Sequence, residues 1–151
     1  MVSKFNQPQS IMLIDDNKVA LLLCRKIIEK VNIFDEIISF QNPIYAIRHL
    51  QALEANKDLL PDIILLDLQM PEMDGFEFLD HFKNIQKEYR QNSHILILTS
   101  SIDENDAEKI RKQKIVHKLL DKPLMLDTII SIINELYPSF EYPLRGYKGT
   151  L

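Results

Sequence analysis

PDIILLDLQMPEMDGFEFL, residues 61–79, joins three kinds of segment: an apolar run, Ile63 to Leu66, that ends in Asp67; a turn carrying Pro71 and Gly75; and the start of an amphipathic repeat. A short apolar run bounded by polar and turn residues suits a strand covered on both faces, and the change to a period near 3.6 marks a helix. Outward from this stretch the same alternation recurs along the chain. It predicts strands at 10–14, 36–40, 62–66, 95–99 and 116–121, and helices at 17–31, 43–56, 75–89, 104–113 and 124–137. Five β-α units in series imply an α/β fold, a doubly wound parallel sheet between two helical layers, with right-handed crossovers. Asp16 or Asn17, Asn42 before Pro43, and Asp103 are suited to cap the first, second and fourth helices. Leu126, Ile129, Ile130, Ile133 and Leu136 give the last helix its core spacing, and Pro138 ends it.

Composition narrows the function classes. One folded domain fills 151 residues of which 46% are hydrophobic, a length that buries roughly two-thirds of the unfolded surface. The formal charge of −4 argues against a surface for coating nucleic acid. No apolar run approaches the roughly 20 residues of a membrane span, and the start MVSKFNQPQS lacks a signal-peptide core, so a cytoplasmic protein without a membrane partner is expected. Cys24 is the single cysteine and excludes an internal disulfide. It shares a helical stripe with Ala20, Leu23, Ile27 and Val31, which reads as core. Residues 138–151 hold two prolines and two of the three glycines, so the folded unit is read as 1–137 and the rest as an irregular tail whose aromatics dock on the domain. His49, His81, His94 and His117 show no ligand spacing and are expected at the surface or at strand edges.

Four of the predicted strands run into chemically distinct residues: IMLI into Asp15-Asp16, IILL into Asp67, ILIL into Thr99, and VHKLLD into Lys122. In open α/β sheets ligands bind beyond the carboxyl ends of the strands, where strand order reverses. With order 2-1-3-4-5, the acids of strands 1 and 3 flank that reversal, and Thr99 and Lys122 lie alongside.

On these residues, and above all on LLDLQMPEMDGFEFL (65–79), the chain from 10 to about 137 resembles the receiver domain of two-component response regulators, with its (βα)5 flavodoxin-like fold. The resemblance implies that Asp67 is the phosphoacceptor, that Asp15 and Asp16 bind a divalent ion with Asp67 and the backbone carbonyl of Gln69, and that Thr99 and Lys122 bind the phosphoryl group. It also implies a cis Lys122-Pro123 peptide, a histidine kinase or histidine phosphotransfer protein as donor, and self-catalysed rather than enzymatic turnover.

The chemistry is consistent with those roles. A carboxylate attacking phosphorus brings two anions together, and Mg²⁺ held by oxygen ligands, an ammonium and a hydroxyl offset that charge. Two other classes use similar letters. A phosphatase of the haloacid dehalogenase type needs a second acid two residues after the nucleophile, where Gln69 stands; a pseudo-receiver adaptor would not need the intact set.

Several expectations concern transmission. Leu119 occupies the place where many receivers carry an aromatic switch residue, and the basic segment Lys109–Lys118 lies on the helix 4–strand 5–helix 5 face that family members use for downstream targets or homodimers. With no output domain in the tail, a single-domain receiver acting through a protein partner is expected. Gly75 is expected to meet a positive-φ requirement in Met73-Asp74-Gly75, and extra residues near Leu53 to Leu60 are expected away from the pocket.

Overall fold

The computed structural model describes residues 6–53, 56, 60–85 and 91–140. Five strands, β1 (Ser10–Ile14), β2 (Glu36–Phe40), β3 (Ile63–Leu66), β4 (His94–Thr99) and β5 (Val116–Asp121), form one parallel sheet in the order β2-β1-β3-β4-β5. The helices between and after them are α1 (Lys18–Val31), α2 (Pro43–Leu53), α3 (Gly75–Lys83), α4 (Glu104–Arg111) and α5 (Leu126–Leu136). The fold is the five-stranded doubly wound α/β architecture expected from the sequence.

Alternation along the central strands divides the core in two. Met12, Ile14, Ile64, Leu66, Ile95 and Ile97 face α2, α3 and α4 and pack with Ala46, Leu50, Phe78 and Phe82. Ile11, Leu13, Ile63, Leu65, Leu96 and Leu98 face α1 and α5 and pack with Ile28, Ile129, Ile132 and Ile133. Burial on both faces is why these strands read as unbroken apolar runs, each fully buried Leu or Ile contributing about 1.5–3 kcal/mol.

The caps set where the chain leaves each strand. Asn17, rather than Asp16, caps α1, its side chain accepting from Val19 and Ala20 at 3.0 and 3.1 Å. Asp74 and Asp103 cap α3 and α4 in the same way. Asn42 accepts from Ile44 beside Pro43, the first residue of α2. Pro138 follows Tyr137, the residue that closes α5.

Some expectations shift. α3 ends at Lys83 and Asn84-Ile85 form a turn; the helical continuation expected at 86–89, like that at 54–55, lies outside the described residues, as do most of the presumed extra residues and the tail from 141. Leu23, assigned to the core stripe of α1, is 57% exposed, because the packed face of that helix runs through Leu21, Ile28 and Val31. Ile132, absent from the expected spacing, is buried in α5. On the sheet edge, Arg25 of α1 reaches across β2, donating to the Ile37 carbonyl at 3.1 Å and to Ser39 Oγ at 3.4 Å.

Candidate functional site

The carboxyl ends of β1, β3, β4 and β5 bring the expected residues to one place, and backbone bonds fix them there. The amide of Asp67 donates to the Ile14 carbonyl at 3.0 Å and that of Lys122 to the Thr99 carbonyl at 2.9 Å, continuing the ladder past the strands. Asp15 is held from the other side, its Oδ1 accepting the Asn17 amide at 2.9 Å. The Lys122-Pro123 peptide is cis.

The side chains are crowded and little exposed: Asp15 and Asp67 are 7% exposed and Thr99 1%. Lys122 Nζ lies 2.5 Å from Asp15 Oδ2 and 3.5 Å from Asp67 Oδ2, so the ammonium engages the β1 acid most closely. Sequence position gives no hint of that order, because it depends on how the lysine stem crosses the mouth. One carboxylate oxygen from each of Asp15, Asp16 and Asp67 lies within 4.8 Å of the others. Such all-oxygen, anionic donors suit a hard divalent cation, and the exposed Asp16 leaves room for the waters that Mg²⁺ retains. Thr99 Oγ1 donates to the Ser101 carbonyl at 3.4 Å, a long bond that is easily exchanged.

Electrostatics follow from this packing. Burial raises the Asp67 carboxyl above its ordinary range and the charge of Asp15 raises it further, against the opposing pull of Lys122 and a backbone hydrogen bond from Gln69. For Lys122 burial works downward, but the hydrogen bond to Asp15 and the nearby charges of Asp67 and Asp15 outweigh it and leave the ammonium above its usual range. One ammonium is thus shared by two little-exposed carboxylates, with the exposed Asp16 close by.

Gly75 has a different role from the one expected. It opens α3 without a positive φ; a Cβ there would lie 2.7 Å from Leu68 Cδ2 and 2.9 Å from both the Asp67 carbonyl oxygen and Leu68 Cα. The requirement is close approach between the helix start and the loop that carries Asp67, reinforced by the Gly75 amide donating to the Leu68 carbonyl at 2.9 Å. Across the mouth, Asn42 Nδ2 donates to Glu72 Oε2 at 2.8 Å, tying the β2–α2 loop to the loop after β3.

A family model described as the response regulator receiver domain matches residues 11–134. The chain belongs to that family. This receiver is 28% identical over 131 residues to the polar-differentiation response regulator DivK of Brucella anthropi, covering 85% of this chain and 98% of that one. A two-component response regulator from Cytophaga hutchinsonii matches its fold with a TM-score of 0.79 and 30% identity, over 87% of this chain and 98% of that chain. A response regulator receiver protein from Dyadobacter fermentans gives 0.76 and 27%, over 85% and 98%. The receiver is therefore a domain of two-component signalling rather than a classical enzyme. Among the described residues, no helix is long and apolar enough to cross a membrane.

Two features of this receiver bear on transmission. Leu119 is half-buried against the α2–α3–α4 core layer. The basic segment is largely paired: Lys109 with Asp106 at 3.7 Å, Lys112 with Glu108 at 3.2 Å and Lys118 with Glu135 at 3.0 Å. The surface there is of mixed charge rather than cationic. The histidines include two near neighbours that the sequence does not pair: His94 and His117 sit on adjacent strands with ring centroids 6.2 Å apart. Sequence reasoning also missed that Leu23, which it assigned to the core stripe, and Met125 are exposed and border one cleft, while Val19 and Leu22 are exposed on the same helix as Leu23.

Proposed function

We propose that this receiver accepts a phosphoryl group on Asp67 from a histidine kinase or histidine phosphotransfer protein and thereby changes its binding to a downstream protein. The observation that carries the reading is the placement of Asp67: nearly buried, flanked by Asp15 and Asp16, with an ammonium 3.5 Å away. An Asp67 carboxylate oxygen attacks phosphorus of a phosphohistidine; the O–P bond forms as the N–P bond breaks, and the released imidazole takes a proton from water. Asp15, Asp16, Asp67 and the Gln69 carbonyl would hold Mg²⁺, whose charge offsets the approach of two anions. Lys122 leaves Asp15 for a phosphoryl oxygen, and Thr99 exchanges its long bond to Ser101 for another. Positioning and charge supply most of the assistance, because the leaving group needs little covalent help.

The downstream partner is assigned to the α4–β5–α5 face, where a change at Thr99 and Lys122 is passed on through the two strands that carry them. A phosphorylation-dependent homodimer through that face is the competing use.

The test is intact-mass spectrometry of the protein with acetyl phosphate and MgCl₂, beside Asp67→Asn. One phosphoryl group, labile in base and released by hydroxylamine as an acyl phosphate is, is expected on wild type and none on the variant. An adduct on both proteins would assign the acceptor elsewhere; no adduct on wild type, with no heat of beryllofluoride binding, would leave a non-phosphorylated adaptor; sustained phosphate-ester turnover would point to a phosphatase.

A further inference from the structure

Beside the aspartate site, a cleft of about 500 Å³ opens between α1 and the segment that joins β5 to α5. Pockets of this size, about 300–1,000 Å³, are the usual range for small ligands. Its mouth carries Leu23 and Met125, each 57% exposed, and its floor reaches the sheet at Leu13, Leu65 and Leu98. A cleft that runs from solvent to the strands takes a slender flexible chain more readily than a row of branched side chains. Cys24 forms part of the wall; burial, and then the charge of Asp15, push its thiol up to about 12 against the pull of Lys122, so it stays neutral and apolar.

The charges around the cleft give its occupant a direction. Asp15, Asp67 and Lys122 line the inner end, where the one ammonium is already held by the two acids, so that end offers an anion no unpaired cation. Lys26 and Lys30 line the far end. The one acid of α1, Glu29, is taken by Arg25 at 3.1 Å, and neither lysine forms an ion pair among the described residues. From Ala20 to Lys30 the helix rises about 15 Å, the length of an extended chain of ten to twelve carbons. The residues 141–151, EYPLRGYKGTL, bring two cations and one acid and so match the lysines poorly; a second copy of this face would bring the same lysines. An anion with an apolar tail answers both halves of the cleft.

We propose that this cleft binds a medium-chain aliphatic carboxylate, the chain lying between α1 and Leu124 over the sheet and the carboxylate resting on Lys26 and Lys30. The proposal does not rest on phosphorylation of Asp67, and it is read out by binding to the unphosphorylated chain.

The test titrates sodium decanoate, below its micellar concentration, into the full chain, followed by calorimetry and by methyl NMR. Shifts at the methyls of Leu23, Ile27 and Leu124 are expected, with binding at least tenfold weaker for decanol, for decyltrimethylammonium and for the Lys26→Gln/Lys30→Gln double variant. Both lysines are exposed and lie outside the aspartate site, so the variant keeps the fold and the acceptor. Equal binding of the three probes, or shifts confined to other methyls, would overturn the proposal. So would shifts of these methyls without decanoate in full-length Tyr142→Ser/Tyr147→Ser, which would make the tail the occupant, or with protein concentration alone, which would make it a second copy.

Discussion

At the carboxyl ends of the strands, Asp15 and Asp67 share the single ammonium of Lys122; at the amino ends, Asp62 is surrounded by donors. Asp62 Oδ2 accepts the amides of Gln9 and Ser10 at 2.7 and 3.0 Å and the Ser10 hydroxyl at 3.4 Å. Beside it, the His94 ring lies edge-on between His117 and Tyr137, at centroid distances of 6.2 and 5.9 Å, and Glu135 receives both His117 and Lys118 at 3.0 Å. The same sheet thus has one end whose polar groups are satisfied internally and one end that holds more negative charge than its own cation balances. The satisfied end supports the fold, and the unbalanced end gathers acids that could hold a metal ion, as the proposed function requires. A charge-satisfied pocket at both ends would have been more stable and chemically idle.

Substitutions can break this contrast from either side. The largest effect is expected at the amino end: Asp62→Ala leaves two partly buried amides without their acceptor and should cost about 2–3 kcal/mol, read as the shift of a urea midpoint at constant slope. A loss below about 0.5 kcal/mol would mean that this end is not the structural anchor. Next is Gly75→Ala, whose Cβ would press on the backbone of Leu68 and Asp67; a loss of about 2 kcal/mol is expected, with a slower rate of phosphorylation by acetyl phosphate. Unchanged stability together with an unchanged rate would remove the close-approach argument.

Asp67→Asn should act with the opposite sign. A carboxyl whose folded pKa is raised contributes stability that is complete below the ordinary aspartate value, 3.8, and is lost as pH rises through the raised value. At pH 7 without divalent ions the variant is therefore expected to be the more stable protein. The gain should be about 1 kcal/mol or less, because the mouth opens to solvent, and it should vanish near pH 3. Millimolar MgCl₂ should raise the melting temperature of wild type more than that of the variant. Equal responses to Mg²⁺ would separate Asp67 from cation binding.

The smallest effect concerns His94, which burial, and then the charge of His117, hold below the usual 6.5 despite Asp62. Its contribution is present above 6.5 and is lost as pH falls from there toward its folded value, since the unfolded chain takes the proton first. His94→Gln should flatten the fall of the urea midpoint over that window, while a curve parallel to wild type would show that His94 does not titrate with folding.

Much of this contrast was legible in the sequence on one side only. The strands announced themselves because both faces of the central ones are buried, and Asp15, Asp67, Thr99 and Lys122 stood out because each ends such a run. The same letters were silent on which acid Lys122 meets first, since that depends on side-chain paths through space. They misassigned Gly75 because a turn and a close backbone contact both favour glycine. They misassigned Leu23 because a helical stripe says which residues align, not how wide a face the neighbours cover. The amino-end cluster left no trace at all: Asp62, His94 and His117 are far apart in the chain and become neighbours only through strand order.

The reach of Arg25 across β2 bears on the company the protein keeps in concentrated solution. β2 borders the sheet, and an open border offers carbonyls and amides on which a strand from another molecule can add. With its guanidinium already donating to the Ile37 carbonyl and to Ser39, that border presents a fixed positive charge and a bulky side chain where a templating edge would otherwise be. A residue that looks like an ordinary surface cation of α1 thereby discourages the chain from polymerising through its own sheet.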